Sequence, residues 1–246
     1  MRARNQLSLS PTDRLLALLK RHPWIAISVS GTLAGAVYAA AAHNPLTEPV
    51  VIPPSAFDAW VPFVPWMAWP YATYLLLLPT LVLLTSRLAG FERVITAAMS
   101  TALANAAVYL IWPTSLDVRT EAPAGTLLAL IQQLDTTLCA IPSGHVSLPM
   151  AITTAALVVS TDAGGTAARR WRQVSCAFFW WTMLLAASTL LTKQHYVIDA
   201  ATGAAFGLVV GIIVATRRFT SAVAAPDQAH SSGSTPRLDS VAGGCV

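Results

Sequence analysis

Long apolar runs separated by short polar connectors dominate the chain, and neither the two-residue alternation of a half-buried strand nor a narrow helical stripe runs through them. Six such runs of roughly 15 to 20 residues, at about 24–43, 70–86, 95–112, 147–161, 173–191 and 197–216, each approach the length a helix needs to cross about 30 Å of hydrocarbon. They predict an all-α architecture, a six-transmembrane helical bundle over residues 24–218. A segment 1–23 precedes it and a tail 219–246 follows. Asp199 is the one charged residue inside any run as bounded here. Burying a charge at that depth is costly, so Asp199 marks a functional site, with His195 as its partner.

Composition sharpens this picture. Hydrophobic residues make up 55% of the 246-residue chain and charged residues 11%, against about 25% charged in soluble domains. The chain's partner is therefore the bilayer. A formal charge of +4 raises the question of a nucleic-acid partner, but the placement of the cations argues against one. Every Lys and Arg except Arg119 and Lys193 lies before the first run, between the second and third, between the fourth and fifth, or after the sixth. The positive-inside tendency assigns those segments and both termini to the cytoplasm. Arg119 and Lys193 then face outward beside the two histidine elements, and the Ala-rich composition fits a bacterial inner membrane. Cys139, Cys176 and Cys245 fall in an outer loop, a span and the tail, so no disulfide is expected. Gly243 stands where a prenylation signal needs cysteine.

The connectors carry further signals. Ser10-Pro11-Thr12-Asp13 suits the N-cap of a surface helix over Arg14–Lys20, with a solvated tail as the plain alternative. Ala39 to Ala42 resembles a leader-peptide cleavage site, but the apolar run before it exceeds the roughly 7 to 15 residues of a signal core, so the span is expected to be retained. Residues 44–69 lack Lys and Arg and contain Trp60, Trp66 and Trp69. They suit the headgroup level, either as anchors or as a lip guiding a lipid inward. The long connection 113–146 carries Asp117, Arg119, Glu121 and Asp135, and Thr126–Leu138 suggests an amphipathic helix across the mouth. Either Ser143 or Ser147 caps the fourth run, and Pro149 is tolerable only in a first turn. Gly203, Gly207 and Gly211 form a small-residue stripe for close helix packing. The tail is rich in Ser, Ala, Gly and Pro and is expected to be disordered.

The candidate chemistry gathers at the outer ends of the runs. Lys193-Gln194-His195-Tyr196-Val197-Ile198-Asp199 places an imidazole four residues from a carboxylate, on one face if the segment is helical. Pro142-Ser143-Gly144-His145 supplies a second imidazole at a helix start. Two histidines, a carboxylate and two cations suit phosphoryl transfer. His195 attacks phosphorus, Asp199 orients it, and His145 protonates the leaving alkoxide. Arg119, Lys193 and the amides around Ser143 and Gly144 bind the nonbridging oxygens. A metal held by His145, His195 and Asp199 is disfavoured by the two cations nearby, so neither metal nor cofactor is expected.

Pro142-Ser143-Gly144-His145 and Ser188-(x6)-His195-(x3)-Asp199 resemble the second and third signature motifs of the type 2 phosphatidic acid phosphatase superfamily, over roughly residues 95–216. The resemblance implies six spans, an outward-facing site related to that of vanadium haloperoxidases, His195 as nucleophile, Asp199 as its partner and His145 as acid. The chain departs from the first motif, Lys-x6-Arg-Pro. Arg119 is the one candidate, with Trp112 in place of the lysine and Thr120 in place of the proline. Thr189 also follows Ser188 where the family has arginine, and Lys193 is placed to supply that charge. The Thr-Lys-Gln-His-Tyr stretch is similar to the branch containing inositol phosphorylceramide synthases. The expected function is hydrolysis of a lipid phosphate or pyrophosphate through a phospho-histidine. The alternatives are a lipid phosphotransferase moving a phosphoryl-alcohol group, and a nonenzymatic lipid-binding or transport protein.

Overall fold

The computed structural model describes residues 21–117, 120–135 and 138–217. Six of its helices are long and apolar enough to cross a membrane: α1 (Pro23–His43), α3 (Pro65–Thr85), α4 (Phe91–Ile111), α6 (Gly144–Asp162), α7 (Gly165–Leu191) and α8 (Val197–Thr216). The connections add a strand β1 (Val50–Ile52), a short helix α2 (Ala56–Trp60), a strand β2 (Thr114–Leu116) and a helix α5 (Leu127–Leu134). The N-terminal surface helix, the tail, Cys245 and Arg119 all lie outside the described residues.

Close packing of α6 and α8 sets the arrangement. A Cβ at Gly203, Gly207 or Gly211 would meet the carbonyl oxygen of Ser143, Ser147 or Ala151 at 2.6, 2.1 and 2.9 Å. Both rows step by four residues, so a ridge of α6 lies in the groove that the glycines leave on α8. α6 is the central helix, with 67% of its apolar window buried against 22% for α1. Leu81, Phe91, Val94, Ile152, Trp171 and Phe178 fill the core around it.

At one end, Gly90 turns the chain between α3 and α4 at φ +89°, where a Cβ would sit 2.5 Å from Val159 Cγ1. Trp171 Nε1 donates to the Ala89 carbonyl at 2.8 Å. Arg93 pairs with Asp162 at 2.7 Å and donates to the Ala215 carbonyl at 2.6 Å, a cation set on the last turn of α8. At the other end the long connections meet. β1 pairs in parallel with β2, Val50 opposite Thr114. The Val64 amide donates to Leu191 O at 2.8 Å, and the Ser143 amide to Asp199 O at 3.0 Å.

Three expectations change. α7 begins at Gly165, so Arg169, Arg170 and Arg172 ride on its first turns and the link from α6 is only Ala163–Gly164. No helix breaker lies between Thr166 and Gln173, and long cationic stems let a helix continue past its apolar part. The two-stranded pair was not expected, because three-residue strands give too little alternation to read. Pro149 is the sixth residue of α6, which starts at Gly144, so Ser143 holds the cap position and the proline has no amide to offer the His145 carbonyl.

Candidate active site

The starts of α6 and α8 lie side by side, which brings the two histidine motifs together. The His145 and His195 ring centroids are 5.6 Å apart. His195 precedes α8 instead of riding on it. Lys193 adopts φ +58°, and the amides of Gln194 and His195 both donate to Thr189 O, at 3.0 and 3.2 Å. This tight turn, followed by extended Tyr196 at the N-cap, replaces the helical face expected for residues 195–199. Asp199 reaches back as the third residue of the helix: Oδ2 accepts the Tyr196 amide at 2.8 Å and contacts His195 Nδ1 at 3.3 Å. A carboxylate at a helix start satisfies an otherwise open amide and sits in the favourable field of the helix dipole. Asp199 is fully buried, and its Oδ1 has no partner among the described residues.

Ser143 occupies the N-cap position of α6, yet its hydroxyl makes no cap bond and is buried without a partner among the described residues. Its amide is committed to Asp199 O and is not open to a ligand. The space beside Gly144 is also taken, since a Cβ there would stand 3.3 Å from the Tyr109 hydroxyl. Lys193 Nζ donates to the Asp58 carbonyl at 2.6 Å. An ammonium has three donors, so two more N–H groups stay with it. Among the described residues, no group of three His, Cys, Asp or Glu side chains is placed to hold a metal ion.

Several contributors went unread in the sequence. Asp58 is buried and accepts from Ser55 N and Ser55 Oγ at 2.7 and 2.5 Å through Oδ2, and from Val197 N at 2.7 Å through Oδ1. It closes the cap of α2 and also caps α8. Burial pushes its carboxyl up, but the bonds from the Ser55 hydroxyl and from the Val197 and Ser55 amides, with the Lys193 charge, outweigh this and leave it below the usual range. Ser55-x2-Asp58 was legible as a capping signature; its reach to α8 was not. Tyr71 and Tyr74 flank His145, each with ring centroid 4.4 Å from the imidazole. Asn105, an amide in mid-span, donates to Ser147 Oγ at 2.6 Å. Asp135 accepts the Tyr38 hydroxyl at 2.6 Å and the Tyr71 hydroxyl at 3.4 Å, anchoring the α5 segment to α1 and α3. Burial, reinforced by the Asp135 charge, pushes the nearby Cys139 thiol up to about 12, which keeps it protonated at neutral pH.

An apolar groove of about 540 Å³ runs beside this end, between Phe57, Trp60 and Pro62 on one side and Leu190, Leu191 and Val197 on the other. Trp60, in its wall, is strongly exposed, as are Trp66 and Trp69 at the start of α3. No protein-family model, curated protein or solved structure matches the chain.

Proposed function

We propose that the chain is an integral-membrane phosphatase that hydrolyses a lipid phosphate or pyrophosphate through a phospho-histidine, at the noncytoplasmic face of the membrane. The observation that carries this reading is the 5.6 Å approach of the His145 and His195 rings, with Asp199 on Nδ1 of His195. Asp199 holds the Nδ1 proton and leaves the other ring nitrogen of His195 to attack phosphorus. The N–P bond forms as the ester P–O bond breaks, and a ring N–H of His145 protonates the departing alkoxide. Neutral His145 then takes a proton from water, which attacks the phospho-histidine and releases inorganic phosphate. The buried Ser143 hydroxyl, the positive end of α6 and the remaining Lys193 donors would hold the nonbridging oxygens. Cations massed at the opposite end of the spans support an outward-facing site.

The test is phosphate release by purified protein from a panel of phosphorylated lipids, with chelator present. His195→Ala should lower the rate on the order of a thousandfold or more, and full activity in that variant rejects the reading. Label appearing in a new lipid instead of in free phosphate would assign a phosphotransferase.

A further inference from the structure

We infer that Tyr71 and Tyr74 are positioning residues that clamp His145 in the pose from which it protonates the leaving group. This rests on the phosphatase reading above. His145 is the second residue of α6, and a histidine side chain there has two free torsions to fix. The phenol rings of Tyr71 and Tyr74 fix them, with centroids 4.4 Å from the imidazole and planes tilted by 32° and 49°. Rings at that separation are in close van der Waals contact, which holds the imidazole by packing.

Local backbone geometry builds the clamp. α3 is α-helical at Ala68–Ala72 and then tightens into a 3₁₀ turn at Thr73–Leu76. Residues three apart share a helix face and come closer to eclipse where the helix tightens, so Tyr71 and Tyr74 point the same way. Pro70 contributes by removing an amide from the turn, and the Thr73 hydroxyl donates to the Pro70 carbonyl at 2.6 Å. Two outside contacts then hold the turn. Trp181 Nε1 of α7 donates to Thr73 Oγ1 at 2.8 Å. Asp135 of the α5 segment accepts the Tyr71 hydroxyl while also accepting that of Tyr38. The proton donor is thus held by side chains from α3, themselves held by α7 and the outer connection.

The clamp matters most when the leaving group needs a proton. An alkoxide is too basic to depart unprotonated, whereas a nitrophenolate leaves as the anion, so a misplaced acid slows phospho-histidine formation from the first ester and spares it from the second. The experiment compares octyl phosphate with a nitrophenyl phosphate bearing the same octyl chain, using wild type, Tyr71→Leu, Tyr74→Leu, Tyr71→Phe, Tyr74→Phe and His145→Ala. In kcat/KM, which reports formation of the phospho-histidine and not its shared hydrolysis, the leucine variants should lose about tenfold or more on the alkyl ester and stay within about twofold on the nitrophenyl ester, the same selectivity as His145→Ala. Tyr74→Phe keeps the ring and should stay near wild type on both, whereas Tyr71→Phe keeps the ring but gives up the Asp135 bond and should fall between wild type and Tyr71→Leu on the alkyl ester. Equal loss on both esters means that the leucine variants merely disturb the fold, and no loss on either means that the rings do not position His145; each result overturns the clamp while wild-type turnover stands. Wild-type protein that releases phosphate from neither ester rejects the phosphatase reading, and the clamp falls with it.

Discussion

Asp199 carries the sharpest residue-level consequence. Its Oδ2 serves two donors, the Tyr196 amide and His195 Nδ1, while Oδ1 is buried with none among the described residues. Asp199→Asn keeps an acceptor for the amide, so the helix start survives, but a neutral amide cannot stabilise the imidazolium or enforce its tautomer. Phosphate release should fall on the order of a hundredfold or more while the melting temperature shifts little, and a calorimetric scan beside the rate assay checks both. His145, His195, Asp199 and Lys193 were legible because polar groups are rare in the runs and stand out against them. The contact between Asp199 and His195 was legible but its geometry was not, since the four-residue spacing suggested a shared helical face where the chain makes a turn and a cap. Tyr71 and Tyr74 were hidden because aromatic residues in an apolar span are the expected filling, and their three-residue spacing marks a shared face without naming what that face meets.

At the scale of elements, the contact of α6 with α8 decides whether the histidines meet. Gly207 is the tightest point, a Cβ there falling 2.1 Å from the Ser147 carbonyl, a rigid backbone atom. Gly207→Ala should push the helices apart, cost about 1–3 kcal/mol and reduce turnover with it. Gly35→Ala in α1, where nothing lies within 4 Å, is the matching control and should be neutral or stabilising by up to ~1 kcal/mol. Thermal unfolding in one detergent compares the two. The glycine stripe was legible in the sequence as a packing surface, yet its partner was not, because nothing in the spacing of 203, 207 and 211 names the row 143, 147 and 151 across from it. The strands were missed for a related reason: their pairing joins residues more than sixty positions apart.

For the molecule as a whole, the six runs and their lengths carried the architecture, while the connections above them could only be read as polar and long. Those connections prove to be tied to the bundle, and Asp58 is the main fastening, bonding α2 internally and reaching the first amide of α8. Its native pKa lies below the ordinary value, so its contribution is complete above the unfolded-state pKa of ~3.9 and is lost as pH falls through the lower native value. Asp58→Asn should therefore destabilise the protein by about 1 kcal/mol at neutral pH, and the gap between variant and wild type should begin to narrow once the pH drops below ~3.9. Paired melting curves from neutral pH to below that point measure it, and a gap that does not narrow would remove Asp58 as the fastening.

The bond from the Ser143 amide to the Asp199 carbonyl joins the start of the fourth span to the start of the last. During synthesis the ribosome delivers these spans in that order, so a nascent chain holding five of them carries His145 without His195 or Asp199. On the phosphatase reading, turnover requires the sixth span, so a chain stopped before His195 is expected to release no phosphate from a phosphorylated lipid.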